Sequence, residues 1–242
     1  MICTLISFVK RYLIVVNHKE SIYNMDETFN LIDKDIQAYC EQHTSDESEV
    51  LYQLYRETNL KTVHPRMLSC KNQGTFLQMV SRMVQPKRIL ELGTFTGYST
   101  ICLAEGLSKD GLIYTIEKDE EREPLIRKYL HLAGIESKTH LLFGRALDII
   151  PRLQETWDLI FIDADKVNYL NYYKLLINHL SEDGILLADN VLWSGKVVKE
   201  VKHNDKDTLA LLEFNQYVQA DSTVKNMILP FRDGMMLVEK KK

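Results

Sequence analysis

The chain has 242 residues, of which 45% are hydrophobic and 26% are charged, with a formal net charge of −4 and a pI near 6.0. This balance is typical of one soluble globular domain with a sizeable core and gives no global attraction to nucleic acid. The four cysteines include no C-x-x-C pair, which argues against a zinc site or a disulfide framework and favours reduced thiols in the cytoplasm.

The first 24 residues are rich in apolar side chains, but Lys10 and Arg11 interrupt the apolar run. A signal peptide needs an unbroken apolar segment and a small-residue cleavage site, and a membrane span needs about 20 apolar residues. The segment meets neither requirement. We therefore predict an N-terminal extension over residues 1–24, to which we assign no function, and a single domain over residues 25–242 with no membrane partner.

Helical patterns occupy the chain before the first predicted strand. The predicted helices cover residues 26–43, 46–59 and 74–84. Asp26 is the expected N-cap of the first helix, and Ser45 or Asp46 is the expected N-cap of the second. Apolar residues repeat on one face of each helix. These helices either shape a substrate entrance or a dimer face, or simply pack on the sheet.

From residue 88 onwards, apolar runs alternate with helical patterns. Strands are predicted near residues 88–92, 112–116, 139–143, 158–162 and 184–188. Helices are predicted near residues 97–107, 120–133, 145–152, 166–180 and 206–220. This alternation predicts a parallel sheet covered on both faces. The short turn Arg232-Asp-Gly234 joins two further strands, which must be antiparallel. The expected fold is therefore α/β, with five parallel strands and a terminal hairpin.

The first predicted strand leads directly into a glycine loop, Arg88-Ile-Leu-Glu-Leu-Gly-Thr-Phe-Thr-Gly-Tyr-Ser99. Such loops bind the ligand in open α/β sheets. The spacing is G-x-x-x-G, and not the G-x-G-x-x-G that lets backbone approach a pyrophosphate. The loop therefore suits a nucleoside ligand such as S-adenosylmethionine and argues against a nucleotide-cofactor oxidoreductase. Glu117 ends the second strand, where it either accepts the ribose hydroxyl protons or is a solvated acid.

Acidic residues follow the fourth and fifth predicted strands, as Asp163-Ala-Asp165 and Asp189-Asn190. Adjacent strands lie about 4.8 Å apart, so Asp163, Asp189 and Asn190 meet at one sheet edge if the two strands are neighbours. Oxygen ligands favour a hard ion, Mg²⁺ or Ca²⁺, and two carboxylates offset its charge. The alternative is helix N-capping, which is a serious rival for Asp165. Lys166 is either a base whose pKa the ion lowers or an ordinary surface lysine.

Together these motifs resemble those of the cation-dependent O-methyltransferases, the caffeoyl-CoA and catechol O-methyltransferase group, over about residues 67–239. The motifs as they stand here are Glu91-Leu-Gly-Thr-Phe-Thr-Gly-Tyr-Ser99, Phe161-Ile-Asp-Ala-Asp-Lys-Val-Asn-Tyr169 and Ala188-Asp-Asn-Val-Leu-Trp-Ser-Gly195. The resemblance implies a single-domain Rossmann-like class I methyltransferase with a seven-stranded sheet, a C-terminal antiparallel hairpin and preceding N-terminal helices. It also implies a homodimer.

The resemblance implies S-adenosylmethionine as the cofactor, together with a divalent cation, Mg²⁺ first and Ca²⁺ or Mn²⁺ as alternatives. Carried over by motif, the cofactor-binding residues are Ser69, Glu91, Gly93, Thr94, Ser99, Glu117, Ala146 and Asp165. The metal ligands are Asp163, Asp189 and Asn190. The catalytic residues are Lys166, which falls where the catechol enzymes have their base, and Asp163.

Two departures from the plant enzymes bear on the acceptor. Ser194 stands where plant enzymes often have Asn, on the substrate side, and the N-terminal region does not align with theirs. A third departure, Glu117 where Asp is common, changes the reach of the ribose carboxylate and not its role. The resemblance therefore favours a bacterial-type member that methylates one hydroxyl of a catechol-like small molecule over one that acts on an acyl-CoA.

Two other functions stay open. One is O-methylation of a hydroxylated uridine in tRNA by the same site, and the other is a catalytically silent binding module. The net charge of −4 disfavours the tRNA substrate, whereas a basic face over the site would favour it; the residues that could form this face are Arg66, Lys71, Lys196, Lys199 and Lys202.

Overall fold

A computed structural model of the chain describes residues 33–63 and 65–242, the side chains of Lys34 and Arg66 aside. The predicted extension over residues 1–24 and the predicted Asp26 cap lie outside the described residues. Across the described ranges, no helix is both long enough and apolar enough to cross a membrane.

Within the described residues, three helices precede the sheet, with starting points that differ from the predicted ones. They are α1 (Lys34–Gln42), α2 (Glu49–Lys61) and α3 (Lys71–Val84). The predicted caps of α2 are wrong, because Ser48 caps this helix by accepting a hydrogen bond from the Leu51 amide at 3.3 Å. The apolar face predicted for the first helix is also not buried, since Ile36 is 57% exposed and Tyr39 is 61% exposed.

Seven strands of the described chain form one sheet. They are β1 (Arg88–Leu92), β2 (Leu112–Glu117), β3 (Thr139–Phe143), β4 (Trp157–Ile162), β5 (Leu180–Ala188), β6 (Val224–Leu229) and β7 (Met235–Lys240). Their order is β3-β2-β1-β4-β5-β7-β6, with β7 antiparallel to β5 and β6 and the other neighbours parallel. The predicted sheet and its terminal hairpin are confirmed. The strand order reverses direction at β1 and β4, which places a ligand crevice at their carboxyl ends.

Helices connect the parallel strands. They are α4 (Tyr98–Ala104), α5 (Glu123–Leu132), α6 (Ala146–Ile149), α7 (Tyr169–Leu176) and, before the hairpin, α8 (Lys206–Ala220). The helix predicted over residues 166–180 is shorter, because 3₁₀ turns at Lys166–Asn168 and Ile177–His179 flank α7.

Apolar side chains fill a layer on each face of the sheet. Successive side chains of a strand point to opposite faces. On β4, Ile160 and Ile162 enter one core while Leu159 and Phe161 enter the other, and all four are fully buried. The central strands therefore read as continuous apolar runs, which is why the sequence predicts them closely.

Candidate functional site

A cleft of about 1760 Å³ lies at the carboxyl ends of the parallel strands. The loops after β1, β2 and β3 form one half, and the loops after β4 and β5 with the β6–β7 turn form the other half. The predicted site residues that line the cleft are Ser69, Gly93, Thr94, Ser99, Glu117, Ala146, Asp163, Asp165, Lys166, Asp189 and Asn190. The topology therefore brings the three sequence motifs to one place.

The glycine loop passes very close to the end of β4. Gly93 has a φ of +103°, and a Cβ atom there would lie 2.0 Å from the Asp163 carbonyl oxygen. Only glycine fits this position, because any side chain would force the two backbones apart. The approach places the loop after β1 directly beside the acidic loop after β4, so that both face the cleft.

Glu91 lies beneath the loop and not in the cleft wall. It is fully buried, and it accepts hydrogen bonds from the hydroxyls of Ser99 at 2.5 Å, Thr100 at 2.5 Å and Thr115 at 2.6 Å. Burial raises the pKa of its carboxyl from 4.5 to about 7 despite these donors. Glu91 is predicted to bind the cofactor, but it does not line the cleft. It instead holds the side chain of Ser99, which does line the cleft.

Glu117 is not a solvated acid, since only 4% of it is exposed. Its Oε2 atom accepts a hydrogen bond from the Phe95 amide at 2.7 Å. Its Oε1 atom accepts from the Asp119 amide at 2.9 Å and from the Arg122 guanidinium at 3.1 Å. A carboxylate offers about four acceptor positions. Oε2 therefore keeps capacity for a further donor from the cleft, such as a ribose hydroxyl.

Asp163, Asp189 and Asn190 line the same cleft, because they follow β4 and β5, which are neighbours in the sheet. Asp189 is 3% exposed, and burial and the nearby Asp163 carboxylate raise its pKa. Its Oδ2 atom accepts from the Gln73 amide nitrogen at 2.7 Å, and its Oδ1 atom accepts from the Asn190 backbone at 2.8 Å.

A buried carboxylate with a raised pKa beside a second carboxylate suits a divalent cation, whose charge would favour ionisation. Within the described residues, no three His, Cys, Asp or Glu side chains converge as a metal site. The predicted set consists of two carboxylates and one amide, Asn190, and this donor chemistry fits a hard ion such as Mg²⁺. The metal assignment stays a prediction.

Lys166 is not an ordinary surface lysine, since it is 9% exposed. Its ammonium group donates to Asp163 Oδ1 at 3.0 Å and to the Tyr169 hydroxyl at 2.7 Å. That hydroxyl donates in turn to the Asp189 backbone carbonyl at 3.0 Å. The nitrogen also lies 5.8 Å from the ring centroid of Trp193. Lys166 is therefore fixed beside both acidic loops.

The capping role considered for Asp165 is wrong, because its side chain makes no cap hydrogen bond to the 3₁₀ turn that follows. Its carboxylate instead accepts from the Tyr172 hydroxyl at 2.5 Å and from the Asn168 side chain. These contacts hold it at the cleft wall.

The predicted site residues do not include the part of the cleft rim that the β6–β7 turn forms. Arg232, in the β6–β7 turn, donates a hydrogen bond to the side-chain oxygen of Gln73, and Asp233 accepts one from the Ser194 amide. Trp193 and Phe231 line the same rim. The sequence marked Arg232-Asp-Gly234 only as a turn. The pairing of β7 with β5 is the signal that places this turn beside Asp189.

Two of the lysines considered for a tRNA-binding face are paired with carboxylates. Lys71 forms an ion pair with Asp46 at 3.1 Å, and Lys196 forms one with Asp205 at 3.1 Å. The side chain of Arg66 lies outside the described part of the chain. The tRNA substrate therefore has no support from these lysines.

Comparison with known proteins gives consistent similarities. The model of the O-methyltransferase family matches residues 41–241. The chain is 36% identical to a catechol O-methyltransferase of Niastella koreensis, over 72% of the chain and 82% of that protein. It is 32% identical to caffeoyl-CoA O-methyltransferase 2 of Populus trichocarpa, over 79% of the chain and 88% of that protein. An S-adenosylhomocysteine-bound methyltransferase of Podospora anserina superposes with a TM-score of 0.80 and 26% identity, over 93% of the chain and all of that structure.

Proposed function

The chain belongs to the O-methyltransferase family, whose members use S-adenosylmethionine, and on that premise we propose that it methylates one hydroxyl of a vicinal dihydroxy aromatic small molecule with the help of a divalent cation. The observation that carries the proposal is the pair of carboxylates, Asp163 and buried Asp189, beside Asn190 in the cleft. We further propose that the enzyme is a cytoplasmic homodimer.

Each half of the cleft has its own task in this proposal. The glycine loop and Glu117 hold the nucleoside of S-adenosylmethionine, with Ser69, Ala146 and Asp165 completing that wall. Asp163, Asp189 and Asn190 hold the cation. When bound, Mg²⁺ would hold two adjacent hydroxyl oxygens and lower the pKa of the one that attacks.

The remaining steps belong to side chains of the chain itself. Lys166, in its neutral form, takes the hydroxyl proton at Nζ, and Trp193 beside it contacts the acceptor ring and limits the access of water. The fixed loops orient both reactants, and positioning of two bound reactants contributes roughly 7–11 kcal/mol in favourable cases.

The test combines binding and turnover. We would titrate the purified protein with S-adenosylmethionine by calorimetry and then follow methylation of 3,4-dihydroxycinnamic acid with Mg²⁺ and with EDTA. Cofactor binding with Mg²⁺-dependent methylation is the expected result. Full activity in EDTA would contradict the proposed dependence on a divalent cation. Cofactor binding without methylation of any dihydroxy aromatic would contradict the proposed class of acceptor.

A further inference from the structure

Arg232 occupies an unusual position in the half of the cleft that the loops after β4 and β5 and the β6–β7 turn form, which we call the acceptor half. It lies in the turn between β6 and β7 with a φ of +53°, a left-handed conformation that costs backbone energy for any residue except glycine. Its side chain nevertheless lines the cleft, beside Phe231 and near Trp193. A turn that glycine would form more easily thus places a positively charged guanidinium at the cleft.

The guanidinium is held at a defined place relative to the acidic loops. It donates to the side-chain oxygen of Gln73, and the amide nitrogen of Gln73 donates to Asp189 Oδ2 at 2.7 Å. Gln73 is fully buried, and the two contacts fix the orientation of its amide because only the oxygen accepts. One rigid side chain therefore sets the separation between Arg232 and the carboxylate of Asp189.

No Asp or Glu of the described ranges forms an ion pair with Arg232. The carboxylates nearest to it already have donors, since Asp189 accepts from Gln73 and Asp233 accepts from the Ser194 amide. Arg122, in the other half of the cleft, differs because it pairs with Glu117 at 3.1 Å. A guanidinium has five N–H donors, so Arg232 keeps several for a ligand.

We propose that Arg232 binds an anionic substituent of the acceptor, so that the preferred acceptor is a dihydroxyphenyl carboxylic acid in its free form and not its ester, its thioester or a neutral catechol. This inference rests on the proposed function, in which the two hydroxyls lie at the cation that Asp163, Asp189 and Asn190 would hold. The ring then lies along Trp193 and Phe231, and the carboxylate meets the guanidinium.

The test compares acids with matched esters. The probes are 3,4-dihydroxybenzoic acid and 3,4-dihydroxycinnamic acid, each against its methyl ester, under Mg²⁺ and S-adenosylmethionine. We expect kcat/KM for at least one acid to exceed that of its ester by about 10- to 100-fold, the range of a hydrogen bond to a charged group. Arg232→Gly, which suits the positive φ, brings the ratio close to one, and Arg232→Lys keeps part of it.

Arg56→Ala is the control, because it removes the same charge from an exposed position on α2 that does not line the cleft. It leaves the ratio unchanged. Equal kcat/KM for acid and ester in the unaltered enzyme overturns the anion subsite while the proposed function stands.

Calorimetric titration of the acids into the S-adenosylhomocysteine complex with Mg²⁺ separates the two proposals. Acid binding that Arg232→Gly weakens at least tenfold supports the subsite even where no methylation occurs, and in that case the proposed reaction fails alone. Acid binding that the variant leaves unchanged overturns the subsite.

Discussion

Two glycines of the same loop provide a test of how rigidly the cleft is built. Gly93 and Gly97 have similar positive φ values, +103° and +93°. An added Cβ atom at Gly93 would lie 2.0 Å from the Asp163 carbonyl oxygen, whereas at Gly97 the nearest atom is a methyl of Ile126 at 3.8 Å. Gly93→Ala and Gly97→Ala therefore share the conformational cost, and only the first adds a collision between backbones.

The structure gives the expected size of each effect. Forcing alanine into a left-handed conformation costs about 1–2 kcal/mol, and this applies to both variants. A Cβ contact under 3.0 Å essentially never occurs, so Gly93→Ala must move one backbone by about 1 Å. Overpacking of this kind costs about 1–3 kcal/mol more. We expect Gly97→Ala to lose about 1–2 kcal/mol of unfolding free energy and Gly93→Ala about 2–5 kcal/mol.

Urea unfolding of the two variants measures this difference as a shift of the midpoint at constant slope. Calorimetry with S-adenosylmethionine adds a second readout, because only Gly93→Ala displaces Asp163 at the cleft wall. Equal midpoints for the two variants, with equal affinities, would refute the claim that the loop and the end of β4 are held in rigid contact.

Three further variants test individual side chains. Asp163→Ala is expected to abolish Mg²⁺-dependent methylation while calorimetry still detects S-adenosylmethionine binding; Mg²⁺-dependent methylation at the unaltered rate in this variant would remove Asp163 from the reaction. Lys166→Ala is expected to lower kcat roughly 10²- to 10⁴-fold with little change in KM, as loss of a proton acceptor does; an unchanged kcat would show that Lys166 is not the base. Burial raises the pKa of Glu91 to about 7 in the folded protein, against an ordinary value of 4.5. Between these pH values the unfolded chain releases a proton that the folded chain retains. The free energy of unfolding therefore falls as the pH rises, by roughly 3 kcal/mol. Urea unfolding from pH 4.5 to 8 is expected to show this decline in the unaltered protein and a smaller decline in Glu91→Gln, because the raised pKa of Asp189 persists in the variant; parallel curves would contradict it.

The sequence predicts the strands of the sheet well for a physical reason. Central parallel strands are buried on both faces, so they appear as short continuous apolar runs between polar turns. The strand predicted at 88–92 matches β1, and the strand predicted at 139–143 matches β3. The meeting of Asp163 with Asp189 follows from the same pattern, because the ends of neighbouring parallel strands share one edge.

Helix boundaries were harder to predict because several local signals compete. Ser45, Asp46 and Ser48 all provide a side-chain oxygen ahead of α2, and the structure uses Ser48. That choice buries Leu51 and Leu54 against the core, and such packing is not visible in a local cap signature. The single helix predicted over residues 166–180 fails at both ends, where 3₁₀ turns place Lys166 in the cleft and lead the chain into β5.

The two halves of the cleft differ in how far sequence can predict them. Most residues proposed to hold the cofactor lie in loops that directly follow β1, β2 and β3, so strand order alone locates them. The rim of the acceptor half depends on contacts between distant segments, since Arg232 meets Gln73 across 159 positions and Gln73 meets Asp189 across 116 positions. No periodicity or motif encodes such contacts. Local motifs therefore predict the O-methyltransferase family, whereas the position proposed for acceptor binding depends on contacts of α3 with the terminal hairpin and with the end of β5.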